Sequence, residues 1–216
     1  MNYPVVITLL GLFWANQLLA VNLKVIIDNS KGEKIKNAVV FAVSKSEKNL
    51  INAALTEKII DQRDKEFIPY VSVVQSGTRV AFPNNDKIRH HVYSFSDAKQ
   101  FEIPLFKGIP AEPILFDRPG VVTIGCNIHD WMMSYNFVTE TPYYAITDNT
   151  GETTVNLPAG EYDIKVWHPK LRGSPDKTSQ FINITEQSAE QSVDFTIQQK
   201  KVWKAWRGGN GFSQGY

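Results

Sequence analysis

The chain has 216 residues, 43% of them hydrophobic and 21% charged, with 23 Lys and Arg set against 22 Asp and Glu. A net charge of +1 excludes a nucleic-acid binder driven by a basic field of its own. No P-loop, dinucleotide fingerprint or zincin helix occurs, so the common enzyme motifs are missing, and the length suits one large or two small domains.

Residues 1–20 carry no charged side chain and hold an apolar run from Val5 to Ala15, interrupted only by Thr8 and Gly11. The stretch ends Leu18-Leu19-Ala20 and reads as a secretory signal peptide cleaved after Ala20, although its start lacks the usual Lys or Arg. Asn16 and Gln17 leave the run short of a membrane span. The mature chain, from Val21, is therefore expected in the periplasm with no membrane-spanning segment.

The next runs, Leu23 to Asp28 and Ala38 to Val43, flank an Asn29–Gly32 turn and read as a hairpin. Residues 44–58 are polar and Ala/Leu-bearing, either a short helix or a linker. From Ile59 to Val138 short strands follow one another between turn signals, the pattern of a β-sandwich. Pro104 marks an edge strand or a bend, Arg118-Pro119-Gly120 a turn, and Val121 to Ile124 a strand. Beyond Pro142, Tyr162, Ile164 and Val166 face one way along a strand while Asp163 and Lys165 face the other. Phe181 to Ile184 and Val193 to Ile197 add two strands, and the basic, aromatic, Gly-rich tail 200–216 reads as a loose terminus. The fold class is all-β.

Residues 124–133, Ile-Gly-Cys-Asn-Ile-His-Asp-Trp-Met-Met, concentrate the chemistry. Cys126, His129 and Met132 offer a thiolate, an imidazole and a thioether on a Cys-x-x-His-x-x-Met spacing, and a second imidazole is available upstream at His90, beside His91. Thiolate, two imidazoles and a weak thioether form the donor set that selects a mononuclear electron-transfer copper site. Cys126 is the only cysteine; two of the three methionines are Met132 and Met133, and of the four histidines only His168 lies elsewhere. An exported chain with one Cys has no intramolecular disulfide partner for it. A small buried hydrophobe or an intermolecular disulfide are the plain alternatives.

At these residues the chain resembles the cupredoxins, the small blue copper proteins. The motif spacing is that of amicyanin, whereas plastocyanin has a longer gap before its Met. Upstream, Phe67-Ile-Pro69, Gly77-Thr78, Phe82-Pro-Asn84-Asn-Asp86 and His90-His91-Val92 match the same family's signals in order. This resemblance covers about residues 57–140. The whole chain also resembles bacterial proteins known as methylamine-utilisation proteins. The flanking segments 21–56 and 141–199 resemble the two halves of a carboxypeptidase-regulatory-like, transthyretin-type sandwich. The expected architecture is thus a cupredoxin Greek-key β-sandwich inserted into a small sandwich that is discontinuous in sequence; three consecutive pieces packed as one unit is the alternative.

The resemblance implies roles. His90, Cys126 and His129 would form the trigonal plane of a type 1 copper site, with Met132 as the long axial donor. His90 is taken before His91 because strand neighbours face opposite sides and because the family places the ligand first in His-x-Val. His91 would stand where the family has an Asn that ties the two ligand loops together, either replacing that tie through a ring N–H or standing as an exposed polar residue. Met133 and Trp131 would be rim residues, and Asp130 would lower the reduction potential. His129 would be the electron exit, at a surface where redox partner proteins dock briefly. No small-molecule substrate and no catalysis are expected. A copper-exchanging carrier and a structural module without redox activity are the other classes, and zinc would accept Cys126 and two imidazoles without explaining the spacing of Met132.

Overall fold

The computed structural model describes residues 20–46, 57–110, 112–185 and 190–200; nearly all of the expected signal peptide, most of the 44–58 connection and the tail after Lys200 lie outside them. Among the described residues there are β-strands and one short 3₁₀ turn (Pro175–Thr178), with no α-helix and therefore none long and apolar enough to cross a membrane.

Period-two burial decides the layout. In β1 (Val21–Asn29) the odd positions Val21, Leu23, Val25 and Ile27 are buried and the residues between them are not. Its neighbours are β14 (Glu152–Leu157), antiparallel, and β17 (Glu190–Ile197), parallel. Facing this sheet across a shared core are β13 (Tyr144–Ile146), β2 (Val39–Ser44), β15 (Gly160–Trp167) and β16 (Gln180–Ile184), in that spatial order. Tyr162, Ile164 and Val166 of β15 point into this core, as their alternation requires.

One local expectation fails here. β1 and β2 do not form a hairpin; they lie in opposite sheets. The reason is the two-sided burial of β2. Val40 and Ala42 enter the core shared with β1, while Val39 and Phe41 are buried on the other face. The two edges of β2 pair with β13 and β15, which makes it a central strand of its sheet.

The second sandwich is built from residues 58–139. Its larger sheet runs β6 (Val71–Gln75), β12 (Met133–Thr139), β11 (Gly120–Cys126), β8 (His90–Ser96) and β9 (Lys99–Phe106). Opposite lie β10 (Ile114–Phe116), β7 (Thr78–Ala81) and β3 (Lys58–Ile59), with the hairpin of β4 (Asp61–Arg63) and β5 (Glu66–Ile68) at one end. Phe67, Val80, Phe82, Phe116 and Ile124 fill the space between the sheets. β9 is an edge strand, and its register against β8 jumps between Phe106↔His90 and Ile103↔Val92, so Pro104 sits in a bulge.

A third apolar cluster joins the two sandwiches. Val39 and Phe41 of β2 and Trp167 of β15 meet Val71 of β6 and Phe137 of β12. Alternation makes this possible: Ser134, Asn136 and Val138 of β12 are buried inward, which turns Tyr135 and Phe137 outward onto the other sandwich.

Candidate metal centre

Two paired strands and one loop assemble the donors. β8 and β11 are antiparallel neighbours, with Cys126 opposite Val92. His90 opens β8 on the same face as Val92, and Cys126 closes β11 on the same face as Val122 and Ile124, so both side chains enter the core. Gly125 precedes Cys126 under the ring of Tyr93; a Cβ there would meet that ring at 3.0 Å. The loop between β11 and β12 is folded back by two bonds, Met132 N–H to His129 C=O at 2.9 Å and Cys126 N–H to Met132 C=O at 3.1 Å. This closure turns His129 towards Cys126 and buries Met132 in the same apolar cluster.

The result is a three-donor cluster. Cys126 Sγ lies 3.7 Å from His90 Nδ1 and 3.9 Å from His129 Nδ1, and the three donor atoms all fall within 4.8 Å of one another. A single ion with bonds of about 2.3 Å to sulfur and about 2.0–2.1 Å to nitrogen, at angles of roughly 110–120°, requires S···N separations of about 3.5–3.8 Å. Both sulfur–nitrogen separations are therefore close to what one shared metal ion requires. Cys126 and Met132 are nearly inaccessible and His90 wholly so, whereas His129 is partly exposed. Burial is the main cause that lowers the pKa of His129, with the charges of His90 and Lys65 adding to it, so His129 is ready to ligate at neutral pH.

The other singled-out residues separate cleanly. Met133 is 41% exposed and accepts a contact from the Tyr135 hydroxyl at 3.5 Å, while Trp131 is 48% exposed with its ring 5.1 Å from that of His129. Both are rim residues. Asp130 is exposed. His168 is buried in the other sandwich, where its Nδ1 accepts the Lys170 N–H at 3.1 Å. Burial pushes its pKa down to about 4.

The tie expected of His91 is not made. Its side chain lies on the outer face of β8 beside Tyr93, with Nε2 3.0 Å from Glu102 Oε1 but out of line for a hydrogen bond. Asn84 instead braces the loop before His90 onto the end of β9. Its buried amide donates to the carbonyls of Ile88 at 3.0 Å and Phe106 at 2.8 Å, and its Oδ1 accepts the Asp86 N–H at 3.0 Å. Asp86, also without an assigned role in the sequence reading, has its Oδ2 3.0 Å from His90 Nε2. That bond, helped by the N–H groups of Lys65 and Lys87, holds the Asp86 carboxyl down at a pKa of about 2. The available sequence signal was the Asn84-Asn85-Asp86 run, a side-chain-capped turn immediately before a ligand strand.

No protein-family model and no curated protein matches the sequence. Among solved structures, the chain is similar to a copper-containing nitrite reductase from Thermus scotoductus, at 24% identity over 40% of this chain and 23% of that one, with a TM-score of 0.37. A purple cupredoxin from Nitrosopumilus maritimus aligns at 21% identity over 39% of this chain and 99% of its own, with a TM-score of 0.34. An oxidised mutant amicyanin aligns at 18% identity over 46% of this chain and 99% of its own, with a TM-score of 0.35.

Proposed function

We propose that the chain is an exported type 1 copper protein that carries single electrons between redox partners of the cell envelope. His90, Cys126 and His129 would hold the copper in this reading, with the Met132 thioether as a fourth, weaker donor. The observation that carries it is the pair of Nδ1 atoms at 3.7 and 3.9 Å from one thiol sulfur, in a dry site. Two imidazoles, a thiolate and a thioether are the donors that copper electron-transfer sites use, and when bound the ion supplies one-electron chemistry.

The residues divide the work. Phe82, Ile124 and Val92 pack around the buried donors and exclude water, which keeps the ligands in place whichever charge the site holds. His129 is the partly exposed donor, and Ile128, Trp131 and Met133 beside it expose apolar surface at which a partner docks briefly. With His90, Cys126 and Met132 enclosed, the arrangement favours a carrier over a catalyst. Export rests on the uncharged, mostly apolar residues 1–20. The division into a unit of residues 57–140 flanked by 21–56 and 141–199 belongs to the same proposal.

The deciding measurement is the visible spectrum of the Cu(II)-loaded chain from Val21. An intense thiolate-to-copper band towards the red is expected, and Cys126→Ser should abolish it. A spectrum unchanged in that variant would overturn the site. Amino-terminal sequencing of protein recovered from the periplasm should begin at Val21.

A further inference from the structure

The His90 ring is held from both ends. Nδ1 faces the Cys126 sulfur at 3.7 Å, while Nε2 is 3.0 Å from Asp86 Oδ2. Asp86 is itself seated. The Lys65 backbone N–H donates to the same Oδ2 at 2.8 Å, and the Lys87 N–H donates to Oδ1 at 2.7 Å.

Lys65 reaches this point from a different element. It ends the two-residue turn between β4 and β5, in which Asp64 and Lys65 both lie in the left-handed region, with φ of 54° and 62°. Such a turn normally takes Asn and Gly, because a side chain at positive φ is strained. Here the strained backbone points an amide at the carboxylate behind a donor histidine. The hairpin and the ligand loop are fastened elsewhere as well: Gln62 N–H to Pro83 C=O and Asn85 N–H to Gln62 C=O, both at 3.0 Å, and Asn85 Nδ2 to Asp61 Oδ1 at 2.9 Å. They form one rigid support.

We infer that Asp86, seated on the Lys65 amide, is a positioning residue that sets the tautomer and orientation of His90, and that the β4–β5 hairpin is thereby part of the metal centre. The inference rests on His90 being a metal ligand. A neutral imidazole carries one N–H, and an ionised carboxylate can only accept. The proton is therefore drawn to Nε2, which leaves the Nδ1 lone pair directed at Cys126 and at whatever ion the two share. Asp86 also places a negative charge behind the His90 ring, which would favour the more highly charged state of an ion held at Nδ1.

Nitrogen-15 NMR of the metal-free, histidine-labelled protein reads the tautomer directly. The wild type should show His90 protonated at Nε2. Asp86→Ala should give a mixture or the Nδ1–H form, while Asp86→Asn, which keeps an acceptor oxygen, should retain the wild-type tautomer. In Cu(II) titrations Asp86→Ala should lose about 10–100-fold in affinity. Asp86→Asn should lose less and should raise the reduction potential, because the charge has gone while the oxygen towards His90 stays, at the cost of the bond from the Lys87 N–H. Lys65→Gly keeps both the amide and the left-handed backbone, so it should match the wild type in all of these. An Nε2–H tautomer and full affinity in Asp86→Ala would overturn the inference. A tautomer that follows Asp86 in a protein with no blue band would overturn the electron-transfer reading and leave this inference standing; a blue protein whose tautomer ignores Asp86 would do the reverse.

Discussion

The rings of Phe41 and Phe137 meet at 5.0 Å between centroids with their planes tilted by 38°, one from β2 and the other from β12. Trp167 lies 5.3 Å from Phe137 on the same cluster. The strand that leaves the metal loop is thus clamped at its far end onto the other sandwich.

Phe137 is 7% exposed, so Phe137→Ala should cost about 3–5 kcal/mol by leaving a cavity between the sandwiches. Urea unfolding monitored by tryptophan fluorescence measures this. The visible band of the copper-loaded protein should survive, because the inward face of β12 is untouched. A loss well under 1 kcal/mol would mean that other contacts hold the two sandwiches together.

The two adjacent methionines should respond differently. Met132 is 2% exposed and shares its cluster with Cys126, whereas Met133 faces outward. On the proposed reading Met132→Leu removes a weak donor to Cu(II) and leaves an apolar side chain in its place, so the reduction potential should rise while the colour remains. Met133→Leu should shift it much less. Voltammetry of both variants decides, and a larger shift in Met133→Leu would show that the wrong thioether was assigned.

His168 predicts a pH dependence for the metal-free protein. Burial lowers its pKa from 6.5 unfolded to about 4 folded, so between those values the unfolded chain binds the extra proton. Its contribution is fully present above about pH 6.5 and is lost as the pH falls towards 4. The amount is on the order of 2 kcal/mol, allowing for solvent at the exposed edge of the ring. His168→Gln should flatten the fall in stability between pH 6.5 and 4.5 in denaturant titrations. An unchanged slope would place the acid sensitivity elsewhere.

Much of the candidate centre could be read from residue types alone. Thiol, thioether and imidazole are scarce in this chain, and their clustering in 126–132 with a histidine pair upstream needed no tertiary information to notice. The structure brings His90, Cys126 and His129 together, and it does so through the same period-two rule that separates His90 from His91. That rule also decides between the two readings of His91 against the tie, since it sends the ring to the outer face, beside Glu102 of β9.

What the sequence determined by itself was therefore the all-β class, the alternation within each strand and the identity of the unusual donors, because each of these is written in local periodicity or in rare side chains. Tertiary structure decided which strands pair and what supports the ligands. Turn residues between β1 and β2 look the same whether the chain doubles back in one sheet or crosses to the next; only pairing along both edges with β13 and β15, strands more than a hundred residues away, made β2 a central strand of the opposite sheet. Carboxylates are common, so nothing marked Asp86 until a hairpin some twenty residues upstream brought the Lys65 amide against it and fixed it behind His90.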